Sequence, residues 1–307
     1  MFTRRKFIGT TVGAGVALAM GGCATQQSAG KRTIVDSQVH LWKASSPDYP
    51  WNPGVKPQLP EPFTIERVLP LMDEAGVDRV VAVPPGLNDV NSYALEAARR
   101  YPNRFAVMGR IPLEDPKSPA LLPRWKDQPG MLGVRVTFIT PATLKWLSDG
   151  TADWFWPAAE KAGLPVMFLV FGHVNRFGPI AERHPGLQLI IDHMGVNLAI
   201  AKEGRTAEVI GHAVALAKYP NVSIKMSNLV NASLEPYPFR DLNDHLKRVF
   251  DAYGPRRCHW GTDLTAGYAR ATWSQRVAHF TEELKFLSES DKDWVMGRSV
   301  RERLKWA

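Results

Sequence analysis

The sequence predicts an α/β fold, a single-domain (β/α)8 TIM barrel over residues 33–307. Three observations predict it. From Thr33 onward, short apolar runs alternate with helix-period segments, and eight such units follow one another. The runs are apolar throughout, as in parallel strands covered by helices. No glycine-rich phosphate turn follows the first run, which argues against a doubly wound open sheet.

The elements follow in order. Thr33–His40 reads as the first strand, and the first helix ends over Leu69–Ala75 with Gly76 as its cap. Between them, the Pro-rich residues 44–62 read as a long loop, a lid or rim over the barrel mouth. Arg79–Pro84 is the second strand, with a helix through Tyr93–Arg100. Phe105–Ile111 is the third. Gly133–Phe138 is the fourth, with a helix over Trp154–Ala162. Pro165–Phe171 is the fifth, followed by a helix over Val174–Arg183. Leu187–Ile191 and Val222–Met226 are the sixth and seventh, with helices over Ala207–Lys218 and Leu242–Tyr253. Cys258–Gly261 is the eighth, with a helix over Ser274–Leu287 and a closing helix over Trp294–Leu304.

Composition narrows the function classes. The chain has 307 residues, 45% hydrophobic and 22% charged, which excludes a disordered, coiled-coil or collagen-like protein. Two cysteines, Cys23 and Cys258, exclude a disulfide scaffold and a cysteine-ligated zinc module. Cys258 reads as a small buried residue. The net charge is +8; without residues 1–22 it is +5, scattered and free of any nucleic-acid motif. The expected partner is therefore a small-molecule substrate, with no nucleic acid.

Residues 1–32 read as an export signal and tether. Arg4-Arg5-Lys6-Phe7-Ile8 resembles a twin-arginine signal, and a weakly apolar stretch broken by Gly9, Gly13 and Gly15 is too short to span a bilayer. Met20-Gly21-Gly22-Cys23 resembles a lipoprotein processing box, with cleavage near Cys23 and a small polar tether after it. Export to the periplasm is expected, with the membrane reached only through a lipid on Cys23.

In such a barrel, chemistry sits where the strands end. The first strand ends Asp36-Ser37-Gln38-Val39-His40, and alternation places Asp36, Gln38 and His40 on one face. The fourth carries Arg135, and the fifth runs into His173. The sixth ends Asp192-His193-Met194-Gly195. The seventh carries Lys225, and the eighth ends Gly261-Thr262-Asp263. Taken singly, each has an ordinary use: a satisfied histidine, an ion-pair cation, a helix cap on Asp263. Together at one end of several strands they read as an active site. His184, His212, His245 and His279 fall in helices and read as surface residues, and His259 as structural.

These residues carry a resemblance. Asp36-x-Gln38-x-His40, Asp192-His193-Met194-Gly195 and Trp260-Gly261-Thr262-Asp263 resemble the amidohydrolase-related (amidohydrolase 2) barrel hydrolases. The lactonase branch is the most similar, and the match extends over most of residues 33–305. The family's first strand carries His-x-His; here the first of these is Gln38. What the resemblance implies for a divalent metal, zinc or manganese, is a reduced ligand set of His40, His173 and Asp263. A glutamine amide is a poor zinc ligand beside imidazole. The branch contains members that work without a metal, so the favoured expectation needs none.

The expected reaction is opening of a lactone or other activated ester. Asp263 takes a proton from water, with His193 and His40 as its catalytic partners. Arg135, Gln38 and Lys225 bind substrate, Arg135 by clamping a carboxylate. Trp42, Trp51, Tyr268 and Trp273 read as pocket or rim residues. Two alternatives stand beside this: a metal-dependent amidohydrolase or decarboxylase of the same superfamily, and a lipid-anchored binding protein that has lost chemistry.

Overall fold

The computed structural model describes residue 1, residues 31–88 and residues 91–307. The twin-arginine and Cys23 expectations lie outside the described residues. No helix among the described residues is long and apolar enough to cross a membrane.

Eight strands form one sheet: β1 (Val35–Val39), β2 (Arg79–Ala82), β3 (Phe105–Gly109), β4 (Met131–Thr137), β5 (Val166–Leu169), β6 (Leu189–Ile191), β7 (Val222–Ser227) and β8 (Cys258–Gly261). They lie in sequence order, and every paired neighbour is parallel. The sheet curls until β8 meets β1. There the Asp263 N–H donates to the Gln38 carbonyl at 2.9 Å, and the Thr262 N–H donates to Asp36 Oδ1 at 2.9 Å. Gly261 permits this approach: a Cβ on it would lie 2.4 Å from Ser37 Oγ. The expected (β/α)8 barrel is therefore the observed fold.

Two apolar layers hold it. Val35, Val81, Val83, Met108, Met167 and Ile190 fill the interior, where Val300 and Leu304 of the closing helix join them. The larger cluster lies between the strands and their surrounding helices. Fully burying each such side chain contributes about 1.5–3 kcal/mol.

The first helix, Ile65–Ala75, shows how the sequence sets these pieces. Thr64 caps it by accepting from the Arg67 N–H, and Gly76 ends it at φ 69°. Its buried residues Ile65, Val68, Met72 and Ala75 fall on one face.

Some expectations need correction. A 3₁₀ segment, Ser118–Asp127, follows β3; Pro123 inside it interrupts the helical pattern, so the apolar period does not announce it. The last two predicted helices each contain a π-turn, at His279–Glu283 and Trp294–Arg298. His279 is buried among Tyr237, Phe239 and Phe280 rather than at the surface. Cys258, by contrast, is free and buried as expected.

Candidate active site

The strand ends deliver their polar side chains to the floor of a cavity of about 440 Å³. Asp263 follows β8 at φ 50°, and His193 follows β6 at φ 54°. Both are in the left-handed region that side-chain-bearing residues seldom adopt. Such strain persists where surrounding contacts over-determine it, as at functional sites. Gly195 tightens the same turn: a Cβ there would lie 2.4 Å from Val174 Cγ1.

Asp263 stands between two imidazoles. Its Oδ1 is 3.1 Å from His40 Nε2, and its Oδ2 is 3.5 Å from His193 Nε2. The opposite ring nitrogens are anchored: His40 Nδ1 donates to the Val83 carbonyl at 2.6 Å, and His193 Nδ1 lies 2.8 Å from Ser227 Oγ. Burial alone pushes the Asp263 carboxyl up, but the His40 ring, then Arg135, outweigh it and hold it well below the usual range. Burial pulls His193 down to about 4, so it is neutral near pH 7.

Beneath them lies a second layer of charge. Lys225 Nζ is 2.7 Å from Asp192 Oδ1 and donates to Gln38 Oε1. Arg135 Nε donates to Asp192 Oδ2 at 3.1 Å. Burial opposes ionisation of Asp192, but Lys225 and Arg135 overcome it and lower its pKa. Arg135 Nη1 also donates to Thr137 Oγ1 at 2.8 Å, and Arg110 Nη2 reaches the same hydroxyl at 3.2 Å.

The structure thus brings together Asp263, His40, His193, Arg135, Gln38 and Lys225. Their placement differs from expectation in three respects. Lys225, expected to bind substrate, is fully buried beneath the cavity, whereas Gln38, also buried, lines the cavity floor. His173 does not join the cluster: it is exposed beyond β5, where some burial and the cations Arg176 and Arg205 lower its pKa. The cavity wall on that side is Leu169 and Phe171. Asp36 also stays out of the cavity lining, and β1 shifts register between it and Val39. Its carboxylate instead accepts from Thr262, Gln38 and Trp273, and burial raises its pKa to about 6.

Trp42 and Trp273 are packed in the core, and neither they nor Trp51 and Tyr268 line the cavity. From the long loop, Gln58 reaches the cavity and bonds Thr265. Residues that the sequence reading did not single out complete the walls: Arg110, Thr137, Asn197, Asn228 and Asn231. The rule that selected Arg135, a polar residue at a strand end, also selects Arg110, which follows β3 directly.

A barrel with this catalytic face is an enzyme of the hydrolase type. The chain belongs to the amidohydrolase family, whose model matches residues 35–298. It is 29% identical over 278 residues to an L-fucono-1,5-lactonase of Burkholderia ambifaria, covering 88% of this chain and 91% of that one. Two solved structures share the fold. An amidohydrolase from Burkholderia multivorans with bound zinc has a TM-score of 0.74 at 20% identity, covering 89% of this chain and 99% of that one. A probable 2-pyrone-4,6-dicarboxylic acid hydrolase from Acinetobacter baumannii, with citric acid bound, has a TM-score of 0.68 at 18% identity, covering 89% and 100%.

The family association raises the question of a divalent metal. Such an ion needs converging lone pairs. His40, His193 and Asp263 converge, but the fourth group facing them is the Gln38 amide nitrogen, 3.4 Å from His40 Nε2 and 3.2 Å from His193 Nε2. That group donates hydrogen bonds and cannot ligate. No group of three or more His, Cys, Asp or Glu among the described residues is arranged to hold a metal ion. The residues as arranged do not fit a metal.

Proposed function

We propose that the protein hydrolyses a lactone, a small sugar-derived or carboxylated cyclic ester. The observation that carries this is the Asp263 carboxylate between His40 and His193 on the floor of a cavity walled by Arg110, Arg135 and Thr137. The similarity to an L-fucono-1,5-lactonase supports the same substrate class.

The chemistry follows from the groups present. Asp263, ionised at neutral pH, takes a proton from a water above it. The water oxygen bonds to the carbonyl carbon, and the ring C–O bond breaks. The departing alkoxide takes up the proton held by Asp263, with His40 beside it to share the transfer. Arg135 and Arg110 offer charged donors to the developing oxyanion or to a substrate carboxylate. Asn197, Asn228, Asn231 and Gln58 offer amides to ring hydroxyls.

The test is a hydrolysis screen over sugar lactones and carboxylated lactones, followed by release of the hydroxy acid. Turnover of a lactone that is lost in Asp263→Asn supports the reading; no turnover across the panel overturns it. We propose further that residues 1–32 export the protein and that a lipid on Cys23 holds it at a membrane.

A further inference from the structure

The layer under the floor is more than packing. An ammonium has hydrogens to give and no lone pair to receive, so Lys225 must take the oxygen of the Gln38 carboxamide. That contact fixes which way the amide faces: its NH2 is turned to the two imidazoles. Lys225 cannot swing away, because Asp192 holds it at 2.7 Å and Asp192 is itself held by Arg135. The chain Arg135–Asp192–Lys225–Gln38 is therefore a rigid relay ending on His40 Nε2 and His193 Nε2. The far nitrogens of both rings are already committed to Val83 and Ser227.

We propose that the Lys225-oriented carboxamide of Gln38 does the positioning work that a divalent cation does in a metal-loaded barrel of this kind: it holds the two imidazole rings in place around Asp263, so the site is assembled without a metal. This rests on the lactone-hydrolase reading only for what the assembled site is used for. Gln38 lines the cavity floor, and the role proposed for it is exerted through the histidines. Neutral His193 accepts from the amide. His40 Nε2 lies between the amide and Asp263, so it accepts from Gln38 when neutral and donates to Asp263 when protonated.

The experiment uses the full chain and zinc chloride as the probe. After incubation with zinc and dialysis, metal content is read by mass spectrometry, and the histidine ring nitrogens are read by 15N NMR. Wild-type protein is expected to retain no stoichiometric zinc. In Gln38→His the donor set becomes three imidazoles and a carboxylate, a complement zinc accepts, and retention of about one zinc per chain is expected. In Gln38→Glu the shape is kept and the donors are lost. The His193 Nε2 signal should move, and kcat should fall about 10- to 100-fold with KM little changed.

Stoichiometric zinc in the wild type, with turnover lost to a chelator, overturns the proposal. So does a Gln38→Glu protein that folds with unchanged ring-nitrogen signals. If no lactone is turned over, the function proposed above fails by itself, while zinc uptake and the ring-nitrogen shifts still decide this point.

Discussion

His40 Nε2 faces Asp263 Oδ1 at 3.1 Å while the same ring gives its other N–H to the Val83 carbonyl. The ring is thus locked from behind and presents one nitrogen to the carboxylate. Replacing Asp263 by Asn keeps the shape and removes the base. Turnover should fall by about 10²- to 10⁴-fold. Thermal unfolding of the variant should remain cooperative, which separates lost chemistry from a lost fold.

The pH profile should be displaced to the acid side. The pKa of His193 is pulled to about 4 by burial, so the ring stays neutral until the pH approaches that value. Asp263 is held down too, by His40 against the opposing effect of burial, and stays ionised over the same range. Hence protonation of His193 should bear on kcat/KM only near pH 4, rather than near the 6.5 of an ordinary histidine. Stability follows the same sign. Groups whose folded pKa is depressed stabilise the fold above their unfolded pKa and lose that contribution as pH falls through the folded value. A His193 ring titration near pH 6.5, read by 15N NMR, contradicts the depressed histidine.

Arg110 and Arg135 share the Thr137 hydroxyl but should respond differently to substitution. Arg110→Met should raise KM for carboxylated lactones by about tenfold, with less effect on neutral ones, as loss of one charge-assisted contact predicts. Arg135→Met also strips a donor from buried Asp192 and should lower stability by about 1.5–3 kcal/mol. Steady-state kinetics on both substrate types, beside denaturant unfolding, checks the pair.

Gly261→Ala tests the seam of the barrel. The new methyl would lie 2.4 Å from Ser37 Oγ and 3.2 Å from the Ser37 nitrogen. Backbone cannot yield as a side-chain tip can, so a loss of about 1–3 kcal/mol is expected. Activity should fall with it, because Asp263 follows this glycine by two residues.

Fractionation checks the proposed address. Wild-type protein should sediment with membranes, and Cys23→Ser should move it to the soluble exported fraction. An unchanged distribution rules out the lipid anchor.

The barrel was legible in the sequence because its strands are continuous apolar runs, and β8 at Cys258–Gly261 matches residue for residue. Ser118–Asp127 was not, because Pro123 breaks the period that announces a helix. Asp263, His193, His40 and Arg135 were legible because polar residues at strand ends have few structural excuses. Lys225 and Gln38 stand out in the sequence, yet only Gln38 reaches the cavity, and Lys225 is buried beneath it. Sequence position marks a strand end but not depth along the barrel axis. His173 misled because three residues beyond β5 the chain turns through Gly172 at φ 75°, and His173 after it is exposed. The wall formed by Asn197, Asn228 and Asn231 comes from loops, whose direction no period encodes.

The left-handed backbone at His193, Asn228 and Asp263 limits how this enzyme can be dissected. Asparagine tolerates that conformation, whereas alanine there carries a conformational penalty of about 1–2 kcal/mol. Alanine scanning at these positions would mix two losses, local unwinding and missing chemistry, in one number. Amide replacements are the clean instrument, and any engineered change of specificity at the strand ends must first choose residues that can live with a reversed turn.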